Sequence, residues 1–355
     1  DGSSKFNKKN RYGYFPSASL AWNFSEEKRI KSLQFISNGK LRLSWGLTGN
    51  NRVGEYDMYS LLAVRKAAAT NLTSGVYPFD NDFSTAGMVP VTVGNWDLKW
   101  ETTEQWNLGL DLGAFGNRIN LTTDIYRKTT RDLLLDATLP YSSGFANARK
   151  NIGKVRNEGI ELTLNTVNIK TRKFTWSTDF NIAFNRNEVL ELAENQESLM
   201  SIAQFDGTYN NNPNYIARVG YPMGLMYGYI FDGTYKYEDF NRSGSAYTLK
   251  ANVPHFSTEN ATQPGMPKYR DLDGNGVIDS ADRTVIGRGA PIHTGGFTNN
   301  FSYKGFDLNI FFQWSYGNDI LNANRLFFES GNGKARDLNQ FASYANRWTP
   351  ENPDS

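Results

Sequence analysis

A long stretch of alternating polarity, Leu98–Arg131, constrains the fold of this chain more than any other feature. Apolar side chains recur at every second position on both sides of the short turn GAFGN, at Trp106, Leu108, Leu110 and Leu112 before it and at Ile119, Leu121 and Ile125 after it. Side chains on a strand point alternately to opposite faces, so the pattern predicts a β-hairpin with one apolar and one polar face. Each arm has about ten residues or more, compared with five or six in an ordinary globular strand and about ten in a strand that crosses a membrane.

The same alternation recurs in six other segments, which brings the total to about eight long strands. These segments are residues 14–24, 41–48, 160–165, 173–185, 294–303 and 306–315. Short and long connectors follow one another along the chain, as they must when a transmembrane barrel has short periplasmic turns and long extracellular loops. A β-sandwich has shorter strands and no reason for this alternation. The sequence therefore predicts an all-β protein, an antiparallel transmembrane β-barrel in which the Trp106 face meets lipid and Gln105, Asn107 and Asp111 face the lumen.

Composition agrees with this prediction. Aromatic residues make up 14% of the chain although the mean hydropathy is −0.56, a combination typical of barrels with an aromatic outer band and polar loops. No run of about 18 apolar residues occurs, so the sequence predicts no transmembrane helix. The net charge of +2 argues against nucleic acid as a partner. Cysteine is absent and only two histidines occur, which leaves little room for disulfides, zinc sites or histidine-based catalysis.

Several residues are expected at particular places in such a barrel. Aromatic side chains near the strand ends are expected at the two membrane interfaces, namely Trp45, Trp96, Trp100, Trp106, Tyr126 and Trp314. Short helices are expected over residues 59–69 and over 188–199, the second with Asn187 as its N-cap. The carboxylate groups Glu101/Glu104 and Glu188/Glu191/Glu194 have the spacing of solvated faces, and no enzymatic role is expected.

The segment DLDGNGVIDSAD, Asp271–Asp282, is the sharpest local motif and fits a twelve-residue calcium loop. Its expected oxygen ligands are Asp271, Asp273, Asn275, the carbonyl of Val277, Asp279 and Asp282. Gly276 occupies the position at which the loop must turn sharply. The last ligand is aspartate where an EF-hand has a bidentate glutamate, and no long helices are expected to flank the loop. A structural calcium ion and a metal-free turn built by Asp and Asn side chains remain equal alternatives.

Five segments together resemble the SusC/RagA family of TonB-dependent outer-membrane transporters. They are WETTEQWNLGLDLGAFGNRINLTTDIYRKTTRDLL, VRNEGIELTLN, ARVGYPMGLMYGYIFDGTY, RDLDGNGVIDSADRTVIG and FASYANRWTPENP. The resemblance spans nearly the whole chain. It implies a 22-stranded barrel in the outer membrane of a Gram-negative bacterium. It also implies import of large nutrients, either oligosaccharides and other glycans or peptides, beneath a SusD-like surface lipoprotein. The TonB complex would act through an N-terminal plug.

About eight strands cannot form a 22-stranded barrel alone, and no segment resembles a plug. Residues 1–355 are therefore expected to be part of one TonB-dependent receptor barrel domain, with the plug and the remaining strands outside this chain. Isolated, such a piece is expected to aggregate or stay unfolded in detergent, because its strand edges are open. Two alternatives without transport remain open, a surface adhesin and a secreted glycan-binding β-protein. A repetitive adhesin would show a fixed sequence period, which is not seen.

Overall fold

A computed structural model describes residues 1–65, 87–193, 196–203, 213–256, 262–329 and 338–353. The fold is all-β, and its largest element is one antiparallel sheet of eight strands. The strands are β1 (Ser17–Trp22), β2 (Ile36–Asn50), β3 (Glu101–Ala114), β4 (Ile119–Arg131), β5 (Lys154–Lys170), β6 (Phe174–Glu191), β7 (His293–Tyr303) and β8 (Phe306–Tyr316). All eight coincide with the segments of alternating polarity, so the predicted fold class and strands are confirmed.

Each strand of this sheet pairs with the strand next to it in the sequence, from β1 through β8. Short connectors (23–35, 115–118, 171–173 and 304–305) alternate with long ones (51–100, 132–153 and 192–292), as predicted. In the shortest turn, Lys304 and Gly305 both have positive φ, 47° and 88°. This geometry is that of a two-residue type I′ turn, whose twist matches the twist of the strands it joins. In the described part of the chain, β1 and β8 each pair along one edge only.

The register of the sheet places apolar residues opposite apolar residues on one face. Leu43 lies opposite Leu108, which lies opposite Ile125, and the row continues through Ile160 to Phe184. These side chains are between 43% and 49% exposed, so no layer formed by the described residues covers them. We call this surface the apolar face. An uncovered apolar sheet face of this length is the expected exterior of a membrane barrel.

The clusters of buried hydrophobic side chains lie outside the eight-stranded sheet. One cluster contains Phe6, Val53, Met58, Leu98 and Leu134. Trp100 packs against it, with its ring 5.6 Å from that of Phe6, and donates its indole N–H to the carbonyl of Arg11 at 3.2 Å. Trp100 is therefore half-buried among residues outside the sheet, and its place at a membrane interface stays a prediction.

The chain divides into two compact units. The first contains residues 1–198, 218–222 and 292–316, and it holds the eight-stranded sheet. Two small hairpins extend it, Leu62–Arg65 with Gly87–Pro90 and Leu134–Thr138 with Asn147–Asn151.

The second unit contains residues 199–217, 223–291 and 317–355. Its four-stranded sheet has the order Ser198–Ser201, Tyr215–Arg218, Leu225–Gly228 and Thr284–Arg288. Three further strand pairs are Phe231–Thr234 with Pro267–Tyr269, Phe240–Ser243 with Ala246–Leu249, and His255–Phe256 with Val277–Ile278. Its hydrophobic cluster is formed by Tyr235, Phe240, Leu249 and Val253.

Helices are few and short. The described α-helices are Lys28–Lys31 and Ala323–Phe328, and 3₁₀ turns occur at Phe24–Glu26, Tyr141–Ser143, Tyr237–Asp239, Ser280–Asp282 and Ala342–Asn346. Within the described ranges, no helix has the length and apolarity needed to span a membrane.

Neither predicted helix forms over its described residues. In the first, Leu62–Arg65 is a strand and residues 66–69 lie outside the described part of the chain. In the second, β6 continues through Glu191, Ser198–Ser201 forms another strand, and residues 194–195 are outside the described part. The second predicted helix does not form because this segment pairs with β5: Val189 lies opposite Val155, and both side chains are buried.

Candidate functional site

The face of the sheet opposite the apolar face carries a connected set of charged and polar side chains, which we call the polar face. At its centre, the guanidinium of Arg42 on β2 donates to both carboxylate oxygens of Asp111 on β3, at 2.8 and 3.2 Å. It also donates to Asp124 on β4, at 3.1 Å. One cation therefore links three adjacent strands through two half-buried carboxylates.

Neighbouring polar groups use the remaining acceptor capacity of these carboxylates. The amide of Asn107 donates to Asp124 at 3.0 Å, and the hydroxyl of Thr122 donates to Asp111 at 3.2 Å. Gly109 makes room for this arrangement, because a Cβ atom there would lie 2.5 Å from the guanidinium carbon of Arg42. The predicted polar positions Asn107 and Asp111 thus lie on the polar face, as their alternation with Trp106 and Leu108 indicates.

A second network continues across the last four strands. Asp179 on β6 accepts hydrogen bonds from the amides of Asn165 on β5, at 2.7 Å, and Asn300 on β7, at 3.1 Å. Asn309 on β8 donates in turn to Asn300 at 2.5 Å. These hydrogen bonds join side chains on adjacent strands, so they favour one register of the strands.

The polar face forms a concavity of about 640 Å³ over β3 to β6. Its lining consists of carboxylate, amide, hydroxyl and ammonium groups: Glu101, Thr103, Gln105, Asn107, Asp124, Tyr126, Lys128, Thr130, Asn157, Glu161 and Asn185. Tyr126 donates its hydroxyl to Asn185 at 3.0 Å and lies on this face, so its predicted place in the aromatic band is wrong. Such a surface offers donors and acceptors to a polar ligand and no apolar pocket.

Three carboxylates of the predicted calcium loop come together. Oxygen atoms of Asp271, Asp273 and Asp282 all lie within 4.8 Å of one another, a separation that one hard cation can bridge. Asp282 is fully buried and accepts the backbone N–H groups of Leu272 and Asp279, both at 2.7 Å. Every donor atom in this group is an oxygen, which fits calcium rather than a softer metal.

The backbone of the loop also favours the charged form of one carboxylate. Asp271 accepts the N–H groups of Gly276 and Gly274, each at 2.7 Å. These hydrogen bonds, that from Gly276 above all, hold the pKa of Asp271 below the ordinary aspartate value of 3.8. Both glycines have positive φ, 75° at Gly274 and 84° at Gly276, which side chains other than glycine rarely adopt.

The other predicted ligands make contacts within the loop. The side-chain oxygen of Asn275 accepts the N–H of Val277 at 2.7 Å. The carboxylate of Asp279 accepts the N–H of Ala281 at 2.7 Å and begins the turn Ser280–Asp282. Asp279 lies outside the three-carboxylate group. Position 9 of such a loop often binds through water, so this placement agrees with an indirect ligand.

The carboxylate pairs noted in the sequence do not act as pairs. Glu104 accepts the indole N–H groups of Trp45 and Trp106, at 3.0 and 3.2 Å, on the apolar side of β3. Glu101, in contrast, lines the concavity of the polar face. The carboxylate of Glu188 accepts a hydrogen bond from the guanidinium of Arg156, at 2.6 Å. Glu101 and Glu104 therefore lie on opposite faces of β3, and Glu188 forms an ion pair with an arginine.

Comparisons with known proteins agree with this two-faced sheet. A family model described as "TonB dependent receptor-like, beta-barrel" matches residues 1–269. TonB-dependent receptor P3 of Formosa agariphila is 38% identical over all 355 residues of the chain. TonB-dependent receptor SusC of Bacteroides thetaiotaomicron is 32% identical over 90% of it. The solved structure of the RagAB peptide transporter superposes on the whole chain with a TM-score of 0.76 and 26% identity.

These relatives are much longer than the chain. It spans 33% of the Formosa receptor, 29% of SusC and 35% of the RagAB structure's matching chain, about a third in each case. The family model covers most of the chain, and the similarity to both receptors and to the solved structure extends over most or all of it. The resemblance inferred from the sequence motifs is confirmed: the chain belongs to the family of TonB-dependent receptor β-barrels, to which SusC also belongs.

Proposed function

We propose that this chain forms eight consecutive wall strands of a transporter that imports large nutrients across the outer membrane of a Gram-negative bacterium. The observation that carries this proposal is the difference between the two faces of the sheet. Leu43, Leu108 and Ile125 lie uncovered on one face, and the Arg42 network lies on the other. A barrel wall between lipid and a polar lumen requires this distribution.

The remaining barrel strands and the plug are placed outside residues 1–355 in this proposal. Two observations support it: the relatives are about three times as long, and β1 and β8 present unpaired edges among the described residues. Strands from the rest of the protein would satisfy the backbone N–H and C=O groups at these edges, which hydrocarbon cannot.

The proposed cargo is an oligosaccharide or another glycan, or a peptide. The concavity of the polar face supports either class, because carboxylates, amides and hydroxyls bind sugar hydroxyls and peptide backbones equally well. RagAB, whose solved structure superposes on this chain, is a peptide transporter, and this likeness supports the peptide alternative. No catalytic step belongs to the proposal.

The proposed partners are a SusD-like surface lipoprotein, which would cover the extracellular opening, and the TonB complex, which would act through the plug. Membership of the TonB-dependent receptor family supports the second partner. Similarity to SusC and to RagAB supports the first. The family assignment offers no support for an adhesin or a secreted glycan-binding protein.

Uptake by intact cells tests this function. Cells that express the full-length protein as their sole transporter of this family would receive a fluorescent oligosaccharide mixture or a fluorescent peptide mixture. Uptake of one mixture that disappears when the proton gradient is collapsed is the expected result. Equal cell-associated fluorescence with and without the gradient would indicate surface binding and contradict transport.

We also propose that Asp271, Asp273 and Asp282 bind a structural calcium ion, with Asn275, Asp279 and the carbonyl of Val277 completing its shell. The convergence of three carboxylates supports this proposal. The ion would offset their mutual repulsion and stiffen the loop, without a catalytic role.

Asp273→Asn tests the calcium site with little disturbance of the fold, because Asp273 is exposed and bonds only within the loop. In the full-length protein, calcium should raise the melting temperature of the wild type and have a much smaller effect on the variant. Asp97→Asn, another exposed loop aspartate, serves as the control and should respond like the wild type. An unchanged wild-type melting temperature on addition of calcium or chelator would refute the proposal.

A further inference from the structure

A group of cations lies on the outward side of the sheet, immediately beyond the apolar face. Along β4, Ile125 belongs to the last apolar row, and Arg127 and Arg131 follow it on the same side at even spacings along the strand. Lys154, the first residue of β5, lies directly opposite Arg131. The group is at the end of the sheet that carries the long connectors.

These cations share a shallow concavity of about 240 Å³. Arg127, Arg131 and Lys154 line it together with Glu104 and Trp106. Three cations and one carboxylate give the lining a net charge of +2. Glu104 accepts the indole N–H groups of Trp45 and Trp106 and keeps its negative charge, which interacts with Arg127 and Arg131 and offsets one of the three positive charges.

The three cations have no ion-pair partner among the described residues, in contrast to their neighbours. Arg156 pairs with Glu188 at 2.6 Å, and Arg186 lies 3.7 Å from the same carboxylate. Unpaired cations that line one concavity are instead suited to an anion supplied from outside the chain.

The surroundings of the concavity indicate what kind of anion it is. The rings of Trp45 and Trp106 lie 6.0 Å apart at the boundary between the apolar row and the cations. Tryptophan prefers the level of the lipid headgroups, where its ring is half in water. Below it, Leu108 and Ile125 are 43% and 49% exposed and suited to contact acyl chains. One ligand that joins acyl chains to a negative headgroup matches both regions.

We propose that Arg127, Arg131 and Lys154 bind the phosphate of an anionic lipid headgroup whose acyl chains lie on the apolar face. This lipid site rests on the proposed function, because it requires the apolar face to lie in a membrane. Arginine binds phosphate through two parallel N–H groups and lysine as a point charge, so the three side chains supply both directional and electrostatic attraction. A soluble acidic protein would match the cations and leave the apolar row beneath them without a partner.

Native mass spectrometry of the full-length transporter in a neutral detergent tests the proposal. The probes are bis-phosphorylated lipid A, the same lipid with both phosphates removed, phosphatidylcholine and inorganic phosphate. The triple variant Arg127→Gln, Arg131→Gln, Lys154→Gln removes the site. The matched control Arg172→Gln, Lys173→Gln, Lys304→Gln removes the same charge at the short-turn end of the sheet.

The wild type and the control should bind phosphorylated lipid A about tenfold or more tightly than the dephosphorylated lipid, given the attraction of several basic groups to one anionic headgroup. The triple variant should lose this preference. The preference of the wild type for phosphorylated over dephosphorylated lipid A should also fall when the salt concentration is raised from about 50 to about 500 mM. This measurement needs no variant.

Three results would overturn the inference: no preference for the phosphorylated lipid, equal loss in both triple variants, or displacement of the lipid by inorganic phosphate at similar affinity. The last would assign the site to a free anion. A different result is expected if the apolar face does not lie in a membrane. The wild type would then retain neither lipid A nor phosphatidylcholine.

Discussion

Arg42 bridges carboxylates from the next two strands, and its contacts explain why charged residues are present in a sheet of this kind. A half-buried aspartate is costly unless hydrogen bonds and an opposite charge compensate for lost water. Asp111 and Asp124 receive hydrogen bonds and an opposite charge from one guanidinium. Its planar, forked group of N–H donors fits a carboxylate better than the ammonium of a lysine does. The bridge therefore also holds three strands in one register.

Removing this cation should destabilise the barrel. Arg42→Gln leaves Asp111 and Asp124 without their charge partner, and we expect a loss of about 1–2 kcal/mol, a value reduced because all three groups are partly solvated. Chemical unfolding of the full-length protein in detergent measures the loss. In a double-mutant cycle with Asp111→Asn, the two losses should not add. Arg29→Gln, at an exposed position, is the control, and additive losses would contradict the bridge.

Asp271 gives the calcium loop a defined pH dependence. Its pKa is lower in the folded protein than the ordinary value of 3.8, because Gly276 and Gly274 donate to the ionised carboxylate. Its stabilising contribution is therefore complete above that ordinary value and is lost as the pH falls through the lower folded one.

In the calcium-free full-length protein, the melting temperature should fall between about pH 5 and about pH 2, and part of this fall should be absent in Asp271→Asn. The variant lacks the group whose protonation costs stability, so its curve should be flatter than that of the wild type. Parallel curves for the two proteins would show that Asp271 does not contribute.

At the scale of the strand, alternation assigns neighbouring residues to different surroundings. Leu162 and Thr163 are adjacent on β5, and the register places Leu162 opposite Ile182 on the apolar face. Thr163 lies opposite Asn181 on the polar face. The two positions share backbone conformation and depth in the sheet, so they differ mainly in the face to which they belong.

An arginine at these two positions should have very different effects. Leu162→Arg places a charge in the hydrocarbon layer, and we expect a loss of about 2–4 kcal/mol for a position near the middle of the band. Thr163→Arg keeps the charge on the polar face and should change stability by less than about 1 kcal/mol. Folding into lipid vesicles at increasing denaturant measures both variants. Equal effects would mean that the apolar face does not meet lipid.

At the scale of the whole molecule, we expect the eight-stranded sheet to be stable in a membrane only with partners along both edges. β1 and β8 pair on one side only in the described part of the chain, and their free N–H and C=O groups would be unsatisfied in hydrocarbon. Most side chains of β8, apolar ones included, are exposed on both faces, which agrees with an edge that another strand would cover.

Residues 1–355 expressed alone should therefore aggregate or remain unfolded in detergent. Size-exclusion chromatography and circular dichroism after refolding measure this outcome, with the full-length receptor as the positive control under the same conditions. A monodisperse, β-rich species whose electrophoretic mobility changes on heating would show that the eight strands suffice, and would contradict their role as one part of a larger barrel.

The sequence by itself determined the eight strands, their faces and the alternation of short and long connectors. These features depend on side-chain alternation with period two and on turn residues such as Lys304-Gly305, which are local properties of the chain. The motif Asp271–Asp282 was likewise readable, because its ligand positions and glycines follow one another closely.

Only the tertiary structure decided which groups meet. Arg42 and Asp111 are 69 residues apart, and their contact depends on the register of β2 against β3. Residues 188–191 have a sequence compatible with a helix, and pairing of Val189 with Val155 makes them a strand. Asp279 separates from the three-carboxylate group because its side chain caps a turn. The Arg42–Asp111 contact and the strand at Val189 follow from non-local pairing, whose free energy exceeds local preferences of a few tenths of a kcal/mol per residue.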